Sequence, residues 1–340
     1  MIAMSAKYAR FVFCFLAFTC TILLPVLLLN FLVDPLWYFS GNRLGSLTES
    51  FNTRVSKAIL IKRHAQRYDC VIFGPSVTTL LKAPKIRGST SFNAAFGDAR
   101  VEELPVYARY LKHLGLHAKT IIVDLTPRNF ATTRPRLSRL PTFVEESRDP
   151  APAIATYTSF RAFWFSLKSA MGWLPDPEVY DADFNCHLRP DIKRWPVAKI
   201  RAEFESYADF SPDALAPYEE LLQVWPDARR VGIVSFIDAS ASVVWQDMGI
   251  LDDYLRVNYT ASKLFDSYYD FTAPSTITTD PSLSFDGLHY DAPNDLIADR
   301  ISESENQFGI ALHQMTYDDY RRSYLEAMAK NNPDRTMVMD

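Results

Sequence analysis

The sequence predicts a three-layer α/β/α domain on a parallel sheet, behind an N-terminal transmembrane helix and interrupted by a helical insertion. Three observations predict it. Short, nearly unbroken apolar runs rich in β-branched residues recur along the chain, as in strands buried on both faces. Segments with apolar residues at helical spacing separate them. Residues 11–33, FVFCFLAFTCTILLPVLLLNFLV, carry no charge at all.

That apolar run, at roughly 1.5 Å per helical residue, spans a hydrocarbon core of ~30 Å. Lys7 and Arg10 precede it and Asp34 follows, so the positive-inside rule expects the N-terminus in the cytoplasm and the rest outside. Trp37, Tyr38 and Phe39 are expected at the far interface. A cleaved signal peptide competes with this reading, but its apolar core is shorter and ends in an A-x-A-like site, which is not found here. An uncleaved anchor is favoured. Removing residues 1–40 is then expected to leave a soluble, folded domain.

After a polar connector (41–55) and a short helix (56–66), five strands are expected: 69–74 (DCVIFG), 90–94 (TSFNA), 119–125 (KTIIVDL), 230–237 (RVGIVSFI) and 268–273 (YYDFTA). Helices are expected at 98–114, 241–255 and 293–308. The insertion, 126–227, holds aromatic helical segments at 154–173 and 196–210, and the tail after Gln314 is charged and poorly patterned. The resulting division is anchor 1–40, connector 41–66, α/β domain 67–315 and tail 316–340.

Composition excludes several classes. A formal charge of −4 without a long basic run argues against nucleic-acid binding. Of the 4 cysteines, Cys14 and Cys20 lie in the apolar run, and only Cys70 and Cys186 could pair; Cys70, before an apolar run, reads better as a small buried hydrophobe. No CxxC, HExxH or histidine cluster offers metal ligands, and no glycine-rich loop cradles phosphate, so no metal or cofactor is expected.

In an open α/β sheet, chemistry gathers beyond the carboxyl ends of the strands. Ser76 follows the first strand in FGPSVTTLL, where a serine is either exposed at a helix start or merely caps it. Gly97 follows the second in FNAAFGDAR. Near the end, SFDGLHYDAPND sets Asp286 and His289 three apart around a glycine, although a helix cap with a surface histidine would read the same way. Only 11 glycines occur in 340 residues, and three of them fall in these loops.

These elements, in this order, resemble the SGNH/GDSL-like hydrolase superfamily across residues 69–310. Its members carry a nucleophilic serine after the first strand, a glycine after the second and an Asp-x-x-His pair near the C-terminus. The resemblance implies Ser76 as nucleophile, His289 as general base, Asp286 as the carboxylate that orients it, and the N–H groups of Ser76 and Gly97 as oxyanion donors. The family's third block, Gly-x-Asn-Asp, is replaced by VDLTPRNF, which displaces Asn129 and leaves Arg128 or Asn93 as alternative donors.

The membrane-anchored form is similar to bacterial cell-envelope proteins of alginate O-acetylation and teichoic-acid D-alanylation. That implies a single-pass inner-membrane protein with a periplasmic or extracellular domain. It implies a serine esterase or O-acyltransferase acting on an exopolysaccharide or other glycan, with a membrane O-acyltransferase as partner. Two other readings stay open. One is a non-catalytic SGNH-like module that binds glycan or scaffolds a modification complex; the other is a purely structural anchor protein in which Asp286 caps a helix.

Overall fold

The computed structural model describes residues 6–45, 47–131, 140–150, 152–173, 176–207, 209–302 and 308–331. Its centre is a six-stranded sheet in the order β2-β1-β3-β6-β7-β8. The strands are β1 Cys70–Phe73, β2 Ser91–Asn93, β3 Thr120–Asp124, β6 Arg229–Val234, β7 Ser267–Asp270 and β8 Ile310–Ala311. The first five run parallel and β8 joins β7 antiparallel. β8 is two residues long, too short to carry a period, and has no counterpart among the expected strands.

Alternation along β1 and β3 divides the core. Val71, Phe73, Ile121 and Val123 face a layer containing the helices Thr53–His64, Glu103–His113 and Leu251–Ser262. Cys70, Ile72 and Ile122 face the other side, where Leu81, Ile86 and Ile297 of the helix Asn294–Ile301 cover them. Burial on both faces explains why the strands read as unbroken apolar runs.

Several elements differ from expectation for local reasons. The helix expected at 241–255 is two, Ser240–Asp247 and Leu251–Ser262, broken at Gly249. The one expected at 154–173 is also two, Ala153–Tyr157 and Phe160–Ala170, with Ser159 capping the second by accepting from the Ala162 N–H. Asn294–Ile301 is shorter than the 293–308 expected, part of which lies outside the described residues. The segment after Gln314 forms the helix Tyr317–Asn331, which buries Tyr320, Tyr324 and Met328. Its buried stripe is mostly tyrosine among charges, so hydropathy conceals it. Inside the insertion, β4 (Glu178–Tyr180) and β5 (Cys186–Leu188) form an antiparallel hairpin that no alternating pattern announced. Cys70 and Cys186 are both buried and free, in separate clusters.

The N-terminal helix, Ala6–Val33, is long and apolar enough to cross a membrane. From Tyr8 to Pro25 it is exposed except at half-buried Thr19, and from Val26 its flanks become covered. It ends on Asp34, a buried residue in the left-handed region (φ 46°) whose carboxylate accepts the N–H groups of Tyr38, Phe39, Ser40 and Gly41. The Tyr157 hydroxyl donates to the same carboxylate. Trp37 is not at an interface: it is 1% exposed and packs with Leu80, Tyr180, Phe184 and Cys186. The expected connector is likewise tied in, since Thr48 pairs with Tyr180. A cut at residue 40 would therefore remove core, Val33, Asp34, Leu36 and Trp37 included.

Candidate active site

β1 ends in Gly74-Pro75-Ser76. A Cβ at Gly74 would lie 2.1 Å from Thr78 Oγ1 and 2.9 Å from Asp124 Cβ, so only glycine lets the chain turn this close to β3. Ser76 then opens the short helix Ser76–Thr79, behind Pro75. Its hydroxyl lies 2.9 Å from His289 Nε2. Below it, buried Asp124 accepts from Thr78 Oγ1 at 2.9 Å and from the Ser235 hydroxyl. Burial pushes the Asp124 carboxyl up to about 6, against the pull of these donors.

The loop after β7 carries Asp286-Gly287-Leu288-His289. Gly287 has φ +80°, and a Cβ there would meet Ile200 Cγ2 at 2.8 Å and Asp238 Cβ at 3.1 Å, so the turn requires glycine on two counts. Asp286 serves two purposes with its two oxygens. Oδ1 accepts the Leu288 and His289 N–H groups at 3.0 and 2.9 Å, closing the turn, while Oδ2 accepts from His289 Nδ1 at 2.7 Å. With Nδ1 protonated toward Asp286, Nε2 is the acceptor for the Ser76 hydroxyl.

The electrostatics follow this geometry. Burial works against charge on both partners, yet the pair overcomes it. The His289 ring and N–H groups hold Asp286 below its usual carboxylate value. Burial lowers the His289 pKa, but the Asp286 hydrogen bond and charge, helped by Glu178, raise it above 6.5 on balance, with Arg128 opposing.

The other expected donors are dispersed. Asn93 is taken up locally: its amide donates to the Thr78 and Leu81 carbonyls, both at 2.8 Å, and its oxygen accepts the Ala95 N–H. Asn129 is buried, with its amide on the Tyr218 hydroxyl at 3.3 Å. Arg128 remains near enough to act on the His289 charge, and pairs with Glu203 at 3.6 Å. Gly97 lines a cavity of about 290 Å³ together with Glu178 and Arg54.

Glu178, on the hairpin, is the residue sequence reasoning missed. Its Oε1 lies 3.9 Å from His289 Nε2, and burial first of all raises its pKa. The Tyr180 hydroxyl donates to it at 3.0 Å. Behind it lies Lys57, fully buried, whose ammonium donates to the Ala95 carbonyl and is pushed down to about 8, chiefly by burial. One signal could have found Lys57: it sits four residues before Ile61 on the buried side of a helix. Nothing local marks Glu178.

Phe285 stacks on the His289 ring at 5.6 Å, and the insertion holds Phe285 through the Trp195 N–H, 2.6 Å from its carbonyl. These residues begin a second cavity, about 540 Å³, walled by Trp173, Arg189, Lys193, Trp195 and Phe285. Asp176 lines both cavities, and each includes one neighbour of the imidazole, Glu178 in the smaller and Phe285 in the larger.

No protein-family model matches the chain, and no curated protein matches it. Among solved structures it is similar to one described as "The structure of a putative platelet activating factor from Streptococcus pneumonia". The two are 6% identical over 74% of this chain and 91% of that one, with a TM-score of 0.38. A likeness of that size carries no argument about what this chain does.

Proposed function

We propose that the chain is a serine-nucleophile esterase or O-acyltransferase, anchored by Ala6–Val33 and facing away from the cytoplasm, that handles acyl groups on a surface glycan. The observation that carries this reading is the unbroken hydrogen-bonded run from Ser76 Oγ through His289 to Asp286. Ser76 Oγ attacks the acyl carbonyl as His289 Nε2 takes its proton, and Asp286 stabilises the imidazolium. The oxyanion falls to the N–H groups of Ser76 and Gly97, with Asn129 left out. Collapse expels the leaving alcohol with the proton from His289, leaving acyl-Ser76. Water or a sugar hydroxyl then takes the acyl group by the reverse proton route, which is the only difference between hydrolysis and transfer.

Lys7 and Arg10, in the first turns of that helix and ahead of its uncharged run, support the orientation. The Trp173 and Trp195 rings in the larger cavity support a sugar acceptor, since aromatic faces pack on the apolar faces of sugar rings. Full-length protein in detergent should react with a fluorophosphonate probe and cleave p-nitrophenyl acetate. Ser76→Ala should lose both, and failure of wild type in both assays would remove the main support. One observation favours a second reading, a glycan-binding or scaffolding module beside a membrane O-acyltransferase: Asn129, the displaced third-block asparagine, is buried on Tyr218. On that reading, Ser76→Ala leaves glycan acylation in cells intact.

A further inference from the structure

The helix Phe160–Ala170 is packed the wrong way round for water. Its buried residues are small, Ala162 and Ser166, both 0% exposed. On the opposite side Phe160 is 74% exposed, and Trp164 and Met171 are each 46% exposed. At about 100° per residue, Phe160, Trp164, Leu167 and Met171 fall within about 60° of one another. The stripe continues beyond both ends, with Ile154 72% exposed and Trp173 65% exposed. Isolated exposed apolar residues need no explanation, but a continuous stripe of this size requires an occupant.

The position of the stripe names that occupant. The helix packs against Ala6–Val33. The apolar helix becomes covered only from Val26, and just beyond that point the Asn30 amide donates to the Tyr157 carbonyl at 2.7 Å. The stripe therefore stands beside the last two turns of the apolar helix. Cations are set at the same level: Arg43 lies 4.2 Å over the Phe31 ring and Lys168 lies 5.8 Å from the Trp164 ring. Arg161, also exposed, lies on the helix itself. Tryptophan, a bulky apolar row and flanking Lys and Arg are the composition of an element lying in the boundary between headgroups and acyl chains.

We infer that residues 154–173 lie in the plane of the outer leaflet, with the Phe160, Trp164 and Met171 stripe seated among phospholipid acyl chains. This rests on the membrane-anchor reading above. The consequence is geometric. Trp173 is both in the exposed apolar row and in the cavity that includes Phe285, so that cavity would open toward the bilayer surface and extend to the ring stacked on His289. An acyl group presented at the membrane surface, and not one diffusing in bulk, is the matching donor.

The chain offers a clean probe, because none of its 6 tryptophans lies within Ala6–Val33. Full-length protein is reconstituted in phosphatidylcholine nanodiscs whose acyl chains carry bromine near the headgroup, and its fluorescence is compared with that in unbrominated discs. Bromine should quench wild type, Trp164→Tyr should lose a large part of that quenching, and Phe160→Trp should add to it. Near-UV circular dichroism verifies that each variant is folded. Failure of the protein to co-elute with the discs would sink the anchor reading and this inference together. Co-elution without quenching of Trp164 or of the Phe160→Trp variant would overturn this inference alone and leave a partner protein as the occupant of the stripe.

Discussion

The imidazole of His289 has two sides, and different forces hold them. On one side stand Ser76 and Asp286, hung from the ends of β1 and β7 in a sheet buried on both faces and locked by glycines that admit no Cβ. On the other stand Glu178 and Phe285, fixed by a hairpin of two three-residue strands, by Trp195 and by the cluster of Trp37, Tyr180, Phe184 and Cys186. The sheet side is held by a ladder of backbone hydrogen bonds; the insertion side depends on a handful of side chains. One of those, Trp37, is the continuation of the N-terminal helix, so the insertion side is mechanically joined to whatever holds that helix.

The largest effect should come from the sheet side. Asp286→Asn keeps the size of the side chain but lets the imidazole adopt the wrong tautomer, so kcat for ester cleavage should fall by about 10³–10⁴. Turnover within tenfold of wild type would show that Ser76 and His289 do not depend on this carboxylate. Trp37→Ala should act on the other side, costing about 3–5 kcal/mol of stability by deleting a fully buried ring. Denaturant unfolding measures it. If the sheet holds its side independently, fluorophosphonate labelling of Ser76 persists in this variant below its melting point.

The same division explains what was legible in the sequence. The five parallel strands were readable because burial on both faces leaves an apolar signature in the strand itself, and the side chains that meet beyond their ends, Ser76, His289 and Asp286, stand in the GPS and DGLH segments that the sequence singled out. In the insertion the helices were readable, Val197–Glu205 lying within the expected 196–210, but the hairpin was not, because β4 and β5 are only three residues each and their stability comes from partners distant in sequence, such as Thr48 and Trp37. Glu178 had no local mark for that reason. Trp37 was misplaced for a related one: after an apolar helix, an aromatic run fits an interface and a core equally well, and only the fold distinguishes them.

A third effect separates the two sides by pH. Burial holds the Lys57 ammonium down at about 8 against an ordinary value of 10.5, although Cys186 and Glu178 pull the other way. Between those values the unfolded chain holds the Lys57 proton and the folded one does not, so Lys57 contributes stability that rises with pH across the window, opposed by Cys70 and Cys186, whose thiols burial raises. The whole difference amounts to no more than about 3 kcal/mol. Lys57→Met should remove this rising contribution, read between pH 8 and 9.5 as the difference between the two proteins' stabilities, in which the cysteine and tyrosine contributions cancel. A variant that keeps the wild-type slope would place the titration elsewhere.

The smallest effect sharpens the comparison most, because it passes from one side to the other. On the proposed function His289 must be neutral to accept the Ser76 proton, so activity should rise as pH climbs through its folded pKa, which stands above 6.5. Burial lowers that pKa; Asp286 raises it more, and Glu178, 3.9 Å from Nε2, raises it further. The corresponding stability contribution is present below the unfolded value and lost as pH rises through the folded one. Glu178→Gln removes the insertion's charge while keeping the shape, so the acid limb of kcat/KM should move to lower pH. The plateau should change by less than tenfold, about 1.4 kcal/mol in barrier. Asp286→Asn should move the limb the same way but with the plateau lost. A Glu178→Gln profile superimposable on wild type would mean that the insertion shapes the cavity without acting on the imidazole, and the hairpin would then be a wall of the site and no part of its proton chemistry.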